Sequence, residues 1–99
     1  MKYISTRGET EPLSFREAVM TGLAPDGGLL LPEEIPEVDE AELDTWRELE
    51  YPELAAAVMA PYVDLPRGDL VELVTRSYDT FRHPEVTPTV PVGDVHMLE

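Results

Sequence analysis

Apolar and polar positions alternate at the start of the chain and shift to helical spacing farther along. Tyr3-Ile4-Ser5-Thr6-Arg7 alternates, is rich in β-branched residues and stops at Gly8, which predicts a short strand. After the polar connector Glu9-Thr10-Glu11-Pro12, the segment Leu13-Ser14-Phe15-Arg16-Glu17 opens a helix. Ser14 and Glu17 have the spacing of a reciprocal capping box, in which each side chain satisfies the other residue's amide. Phe15, Ala18, Val19 and Gly22 share one face, and Gly22 offers the positive φ of a helix stop. Pro25-Asp26-Gly27-Gly28 predicts a tight turn with Pro25 at its second position. Leu29-Leu30-Leu31, continuously apolar between Gly28 and Pro32, predicts a short buried strand.

Asp39 and Glu42 repeat the cap spacing ahead of Leu43, Trp46 and Glu50 or Leu49, so a second helix is expected there. Pro52 fits the first position of a third helix, with Leu54, Val58 and Met59 inward and Pro61 ending it. Its alanine-rich stretch allows close packing. Asp69 and Glu72 again have capping-box spacing. Behind them Leu70, Leu73, Val74, Ser77, Tyr78 and Phe81 recur on one helical face, and Pro84 is the expected stop. Residues 82–94 read as an extended, proline-rich linker, Gly93-Asp94 as a turn and Val95–Glu99 as the start of a strand. The expected fold is α+β: a small helix-rich domain with about four helices and two or three short strands, followed by an extended C-terminal segment.

Composition narrows the role. Ninety-nine residues make one domain, and 42% hydrophobic content is enough for a modest core. The formal charge of −14 argues against sequence-independent binding to nucleic acid or anionic lipid, which needs a positive patch. Ten acids against the single base Arg47 fall between Glu33 and Glu53, and a solvated helix face accounts for them. There is no cysteine, hence no disulfide framework and no thiol nucleophile. No apolar leader or membrane-length run is present, and a cytoplasmic location is expected. Lys2 is the only lysine.

Candidate chemistry is thin. His83 and His96 lie on different elements with no local ligand spacing, so no metal site is expected. His83 reads instead as a polar helix-end residue that suits the C-terminal dipole. Ser14 and Ser77 are explained as a cap and a helix-face residue, and Gly-x-Ser-x-Gly is absent. Asp26-Gly27-Gly28 is followed by a strand rather than a helix, which favours a tight turn over a phosphate loop. No catalytic, cofactor-binding or metal residue is therefore assigned within the chain.

The strings Tyr3-Ile4-Ser5-Thr6-Arg7-Gly8, Gly22-Leu23-Ala24-Pro25-Asp26-Gly27-Gly28-Leu29 and Arg76-Ser77-Tyr78-Asp79-Thr80-Phe81 go further. Together with Ser14-Phe15, Glu17-Ala18-Val19, Ile35-Pro36, Val86-Thr87-Pro88 and Val95–Glu99, they resemble the N-terminal domain of threonine synthase over essentially the whole chain. The resemblance implies a pyridoxal-phosphate lyase of fold type II that converts O-phospho-L-homoserine and water to L-threonine and phosphate. It also implies that the cofactor lysine lies in a Leu-Phe-His-Gly-Pro-Thr…Phe-Lys-Asp motif following the Leu98-Glu99 pair. That motif is not in these residues, and nothing of it surrounds Lys2.

Residues 1–99 are accordingly expected to be a non-catalytic N-terminal domain, inactive and without cofactor when alone. Residues 82–94 would lead into the cofactor-binding body, and that body is the expected partner. Trp46, Tyr51 or Leu30 are candidates for the contact surface, and an exposed apolar patch predicts self-association of the isolated domain. Leu98-Glu99 is expected to be native sequence rather than a cloning remnant. Two alternatives remain open: a threonine-synthase-like phospho-lyase, and a free-standing acidic interaction module with a salt-sensitive basic partner.

Overall fold

The computed structural model describes residues 1–99. In chain order its elements are β1 (Tyr3–Ser5), α1 (Phe15–Thr21), β2 (Leu30–Pro32), α2 (Glu40–Trp46), α3 (Tyr51–Met59), α4 (Arg67–Tyr78), β3 (Thr89–Val92) and β4 (Val95–Leu98). Helices and two small antiparallel sheets make the fold α+β, with one strand more than expected.

β1 pairs with β2 in the register Tyr3↔Pro32, Ile4↔Leu31 and Ser5↔Leu30, and Tyr3 also bridges Leu13 on the other side. The strand stops at Ser5, short of Arg7, because Gly8 at φ 74° folds its amide back onto Ser5 O at 3.0 Å. Two expectations fail nearby. Leu29 is 58% exposed and Leu31 49%, and no residue of β2 is buried, so this strand is apolar without being buried. On α1 only Ala18 is buried, and Val19 projects outward at 61% exposure. The α1 cap forms as expected: Ser14 Oγ accepts from the Glu17 amide at 3.3 Å, and Glu17 Oε2 accepts from the Ser14 amide at 2.8 Å.

α2 is capped by Asp39, whose Oδ1 accepts from the Glu42 amide at 2.8 Å, and none of its residues is buried. Its acidic side chains face solvent, and Arg47 pairs with Asp44 at 2.8 Å.

The core lies between α3 and α4, where Ala56 is fully buried against Leu70 and Val74. Ala56 and Ala57 turn inward while Val58 and Met59 stay exposed, reversing the expected face. Small residues at the crossing let the two backbones approach, and the larger ones are left at the sides. Pro52 sits second in α3, after Tyr51, and the helix ends before Pro61. α4 starts at Arg67 behind Pro66, so Asp69 lies inside the first turn and makes no cap. It also ends at Tyr78, well before Pro84, which leaves His83 off the helix with Nδ1 accepting from the Glu85 amide at 3.1 Å.

Four of the thirteen residues read as linker, Thr89–Val92, are strand. β3 pairs with β4 through the two-residue loop Gly93-Asp94, with Gly93 at φ 62° as a type II′ turn requires. Packing throughout is pairwise, β1 on β2, α3 on α4 and β3 on β4. Only eight residues are buried, and the radius of gyration is 16.1 Å. A self-sufficient domain of this length has about 13 Å, so this fold is spread out around a thin core.

Candidate functional site

The densest polar construction joins β1 to the turn before β2. Ser5, nearly buried, donates from Oγ to Asp26 Oδ1 at 2.7 Å and accepts from the Arg7 amide at 3.1 Å. Asp26 receives two further amides, Gly28 on Oδ1 at 2.9 Å and Glu9 on Oδ2 at 3.1 Å. Arg7 Nη1 donates to Asp26 O at 2.9 Å, and Thr6 Oγ1 accepts from the Leu29 amide at 3.0 Å.

The Ser5 hydroxyl is the main force that holds the Asp26 carboxyl down at about 2. The Gly28 and Glu9 amides act the same way, and desolvation opposes them. Thr10 adds a smaller pull, although its Oγ1 is buried without hydrogen-bond geometry to any partner. Gly28 is buried in the middle of this clasp, and a Cβ there would sit on Ser5 Oγ.

This clasp is structural, not ligand-binding. The Gly27 amide donates to Ala24 O at 2.8 Å and the Gly28 amide to Asp26, so both donors of the glycine pair are already used. A phosphate loop needs such amides free. Asp26-Gly27-Gly28 is a tight turn, as the sequence indicates, with Gly27 at φ 80°.

The remaining candidates do not assemble. Ser14 is held in its cap, and Ser77 Oγ donates to Leu73 O at 2.8 Å within α4. His83 and His96 sit on separate segments, and no three His, Cys, Asp or Glu side chains come together in metal-binding range. Lys2 is exposed, and its amide is engaged by Glu33 Oε1 at 2.9 Å. No helix is long and apolar enough to cross a membrane.

What the structure does display is apolar surface. A groove of about 380 Å³ runs along α4, lined chiefly by Phe15, Met59, Leu70, Leu73, Val74 and Phe81. Elsewhere Met20 is 82% exposed and Leu23 64% exposed, beside the exposed Leu29. Trp46, Tyr51 and Leu30 are partly buried, and Tyr51 is occupied with the Tyr78 ring at 5.0 Å and with Thr87 Oγ1 at 3.1 Å. Phe81, stacked edge-on against Tyr78, and the end of α1 present more surface than the three residues named from sequence. Sequence reasoning missed the groove because Leu73 and Phe81 read as core on an amphipathic face.

Residues 2–78 match the family model described as threonine synthase N terminus. Threonine synthase of Schizosaccharomyces pombe is 46% identical over 91 residues, which is 89% of this chain and 18% of that one. Human threonine synthase-like 2 is 42% identical over 87% of this chain and 18% of its own length. The crystal structure of pyridoxal-phosphate-bound threonine synthase from Brucella melitensis superposes with a TM-score of 0.87 at 41% identity. It covers all of this chain and 22% of that one. The chain thus spans about a fifth of the length of the relatives it matches.

Proposed function

This chain belongs to the threonine synthase N-terminal family, and from that premise we propose that it is the non-catalytic N-terminal domain of a pyridoxal-phosphate-dependent threonine synthase. The complete polypeptide would convert O-phospho-L-homoserine and water to L-threonine and phosphate. One observation carries the division of labour: a thin core and large exposed apolar surfaces in a chain a fifth the length of its relatives. Such a domain gains its stability by covering those surfaces on the rest of the polypeptide.

The residues present do not fit the cofactor. A Schiff-base lysine works from a desolvated or cation-flanked position. Lys2 is exposed, and its neighbour across the sheet edge is Glu33. Cofactor chemistry therefore belongs to the body. The role of these 99 residues is to hold a shaped apolar surface, with the Ser5–Asp26 clasp fixing β1 against β2 and the Ser14–Glu17 cap fixing the start of α1.

The second reading is a threonine-synthase-like phospho-lyase, which would release phosphate from the same type of substrate without making threonine; the chain is similar to human threonine synthase-like 2 as well as to threonine synthases. One assay separates the two. The full-length polypeptide, loaded with pyridoxal phosphate, is given O-phospho-L-homoserine while phosphate and threonine are both counted. Equal amounts support threonine synthase, phosphate without threonine supports the phospho-lyase, and neither product overturns both. The 99-residue chain alone should bind no cofactor and yield neither product.

A further inference from the structure

Asp26-Gly27 is the one aspartate–glycine pair in the chain, and asparagine is absent. Such a pair can rearrange its own backbone, because glycine places no side chain around the attacking amide. The Gly27 nitrogen attacks Asp26 Cγ and forms a new N–C bond. The carboxyl hydroxyl leaves as water, taking the amide proton with it. A second water then opens the five-membered imide. Where it adds to the former Asp26 carbonyl carbon, Gly27 stays joined to Cγ and the product is isoaspartate. Mass is unchanged and no reactant other than water takes part.

The first step needs a free amide and a protonated, electrophilic carboxyl group. The fold withholds both. The Gly27 amide donates to Ala24 O at 2.8 Å. The Asp26 carboxylate accepts from Ser5 Oγ at 2.7 Å, from the Gly28 amide at 2.9 Å and from the Glu9 amide at 3.1 Å. These bonds favour the ionised form, which is a poor electrophile. Arg7 Nη1 holds Asp26 O at 2.9 Å, so the peptide group between the two residues is fixed at its oxygen and at its nitrogen. Gly27 is exposed and Asp26 only partly buried, so water reaches the pair. Hydrogen bonding, and not burial, is the barrier.

We propose that Asp26-Gly27 is a latent modification site, which Ser5 and the surrounding amides hold as aspartate and which converts to isoaspartate when the clasp opens. The conversion runs one way for the fold. The carboxyl carbon that anchored Ser5, Gly28 and Glu9 becomes part of the main chain. The new carboxylate derives from the carbonyl to which Arg7 donates. The clasp cannot close again, and β1 loses its side-chain tie to the turn before β2.

Peptide mapping of the full-length polypeptide, aged at neutral pH, tests this. Chromatography separates the two isomers at residue 26, and fragmentation assigns them. A synthetic peptide of residues 20–32, which lacks β1, is the unprotected reference. The folded protein should form isoaspartate at least about tenfold more slowly than the peptide, since it reacts only through its open fraction. Ser5→Ala removes one hydrogen bond to the carboxylate and should speed the reaction in the folded protein by about tenfold. Val74→Ala loosens the α3–α4 contact, touches nothing in the clasp and should leave the rate as it was. Equal rates in protein and peptide overturn the proposal, as does a Ser5→Ala rate equal to that of the unaltered protein. So does equal acceleration by Ser5→Ala and Val74→Ala, which would make global unfolding the gate. The comparison of protein with peptide involves no substitution and decides the matter even where a variant fails to fold.

Discussion

The hydroxyl of Ser5 and the carboxylate of Asp26, 21 residues apart in the chain, meet at 2.7 Å and close the N-terminal third of the molecule into a loop. The bond is stronger to the ionised carboxylate than to the protonated acid. Asp26 is held at about 2 in the folded chain, below its ordinary 3.8. A depressed folded value contributes stability that is present above the ordinary value and is lost as pH falls through the folded one. Acid unfolding should therefore steepen between about pH 4 and pH 2. Asp26→Asn should flatten that window and lower Tm at neutral pH. Direct NMR titration of the Asp26 carboxyl provides the check, and an ordinary value near 3.8 would contradict it.

Gly28→Ala should destabilise by about 1–3 kcal/mol through overpacking, because its methyl would occupy the place of Ser5 Oγ. Gly68, with open space around its Cβ position and an ordinary φ, tolerates the same change. Ser5→Ala removes the obstructing atom, so the double variant should cost less than the sum of the two single ones. Urea titrations of the four proteins measure the cycle.

Leu70→Ala should cost about 2–5 kcal/mol in any context, since Leu70 is buried inside the α3–α4 contact. Leu73, half exposed in the groove, should cost under about 1 kcal/mol in the 99-residue chain and clearly more in the full-length polypeptide. Chemical denaturation of both lengths decides whether the groove is covered.

At Val86 the usual order of alanine and glycine should reverse. Both substitutions remove the isopropyl group, but only glycine accepts φ 61° without a Cβ clash. Val86→Gly should therefore be more stable than Val86→Ala by about 1 kcal/mol. The opposite order in thermal melts would mean that this turn relaxes freely in solution.

Features that depend on neighbours in the sequence are legible in it. Ser14 with Glu17 and Asp39 with Glu42 cap their helices at the expected places, and Pro25 and Gly93 turn the chain where predicted. Asp69 and Glu72 carry the same spacing and fail because Pro66 starts the helix three residues earlier, with its φ already suited to that position. The inward face of α3 is misread for a different reason. Hydropathy ranks Val58 and Met59 above Ala56, whereas close helix approach selects the smallest side chain. Leu29-Leu30-Leu31 reads as buried because apolar residues on both faces need cover, and these 99 residues cover only part of Leu30. The Ser5–Asp26 clasp has no periodic signature, since it joins a strand to a turn far along the chain.

One bond spans the two halves of the molecule. Tyr3 donates its hydroxyl to Tyr62 O at 2.8 Å across 59 residues, the longest span of any side-chain hydrogen bond in the molecule. It ties the β1–β2 unit to the turn between α3 and α4, each of which closes over shorter stretches of chain. Loop-closure entropy disfavours such a tie until both of its ends are formed. The two halves should therefore assemble separately, with this phenol joining them last. Tyr3→Phe should accelerate unfolding while leaving the refolding rate unaltered. That outcome would make the tyrosine a latch rather than a nucleus.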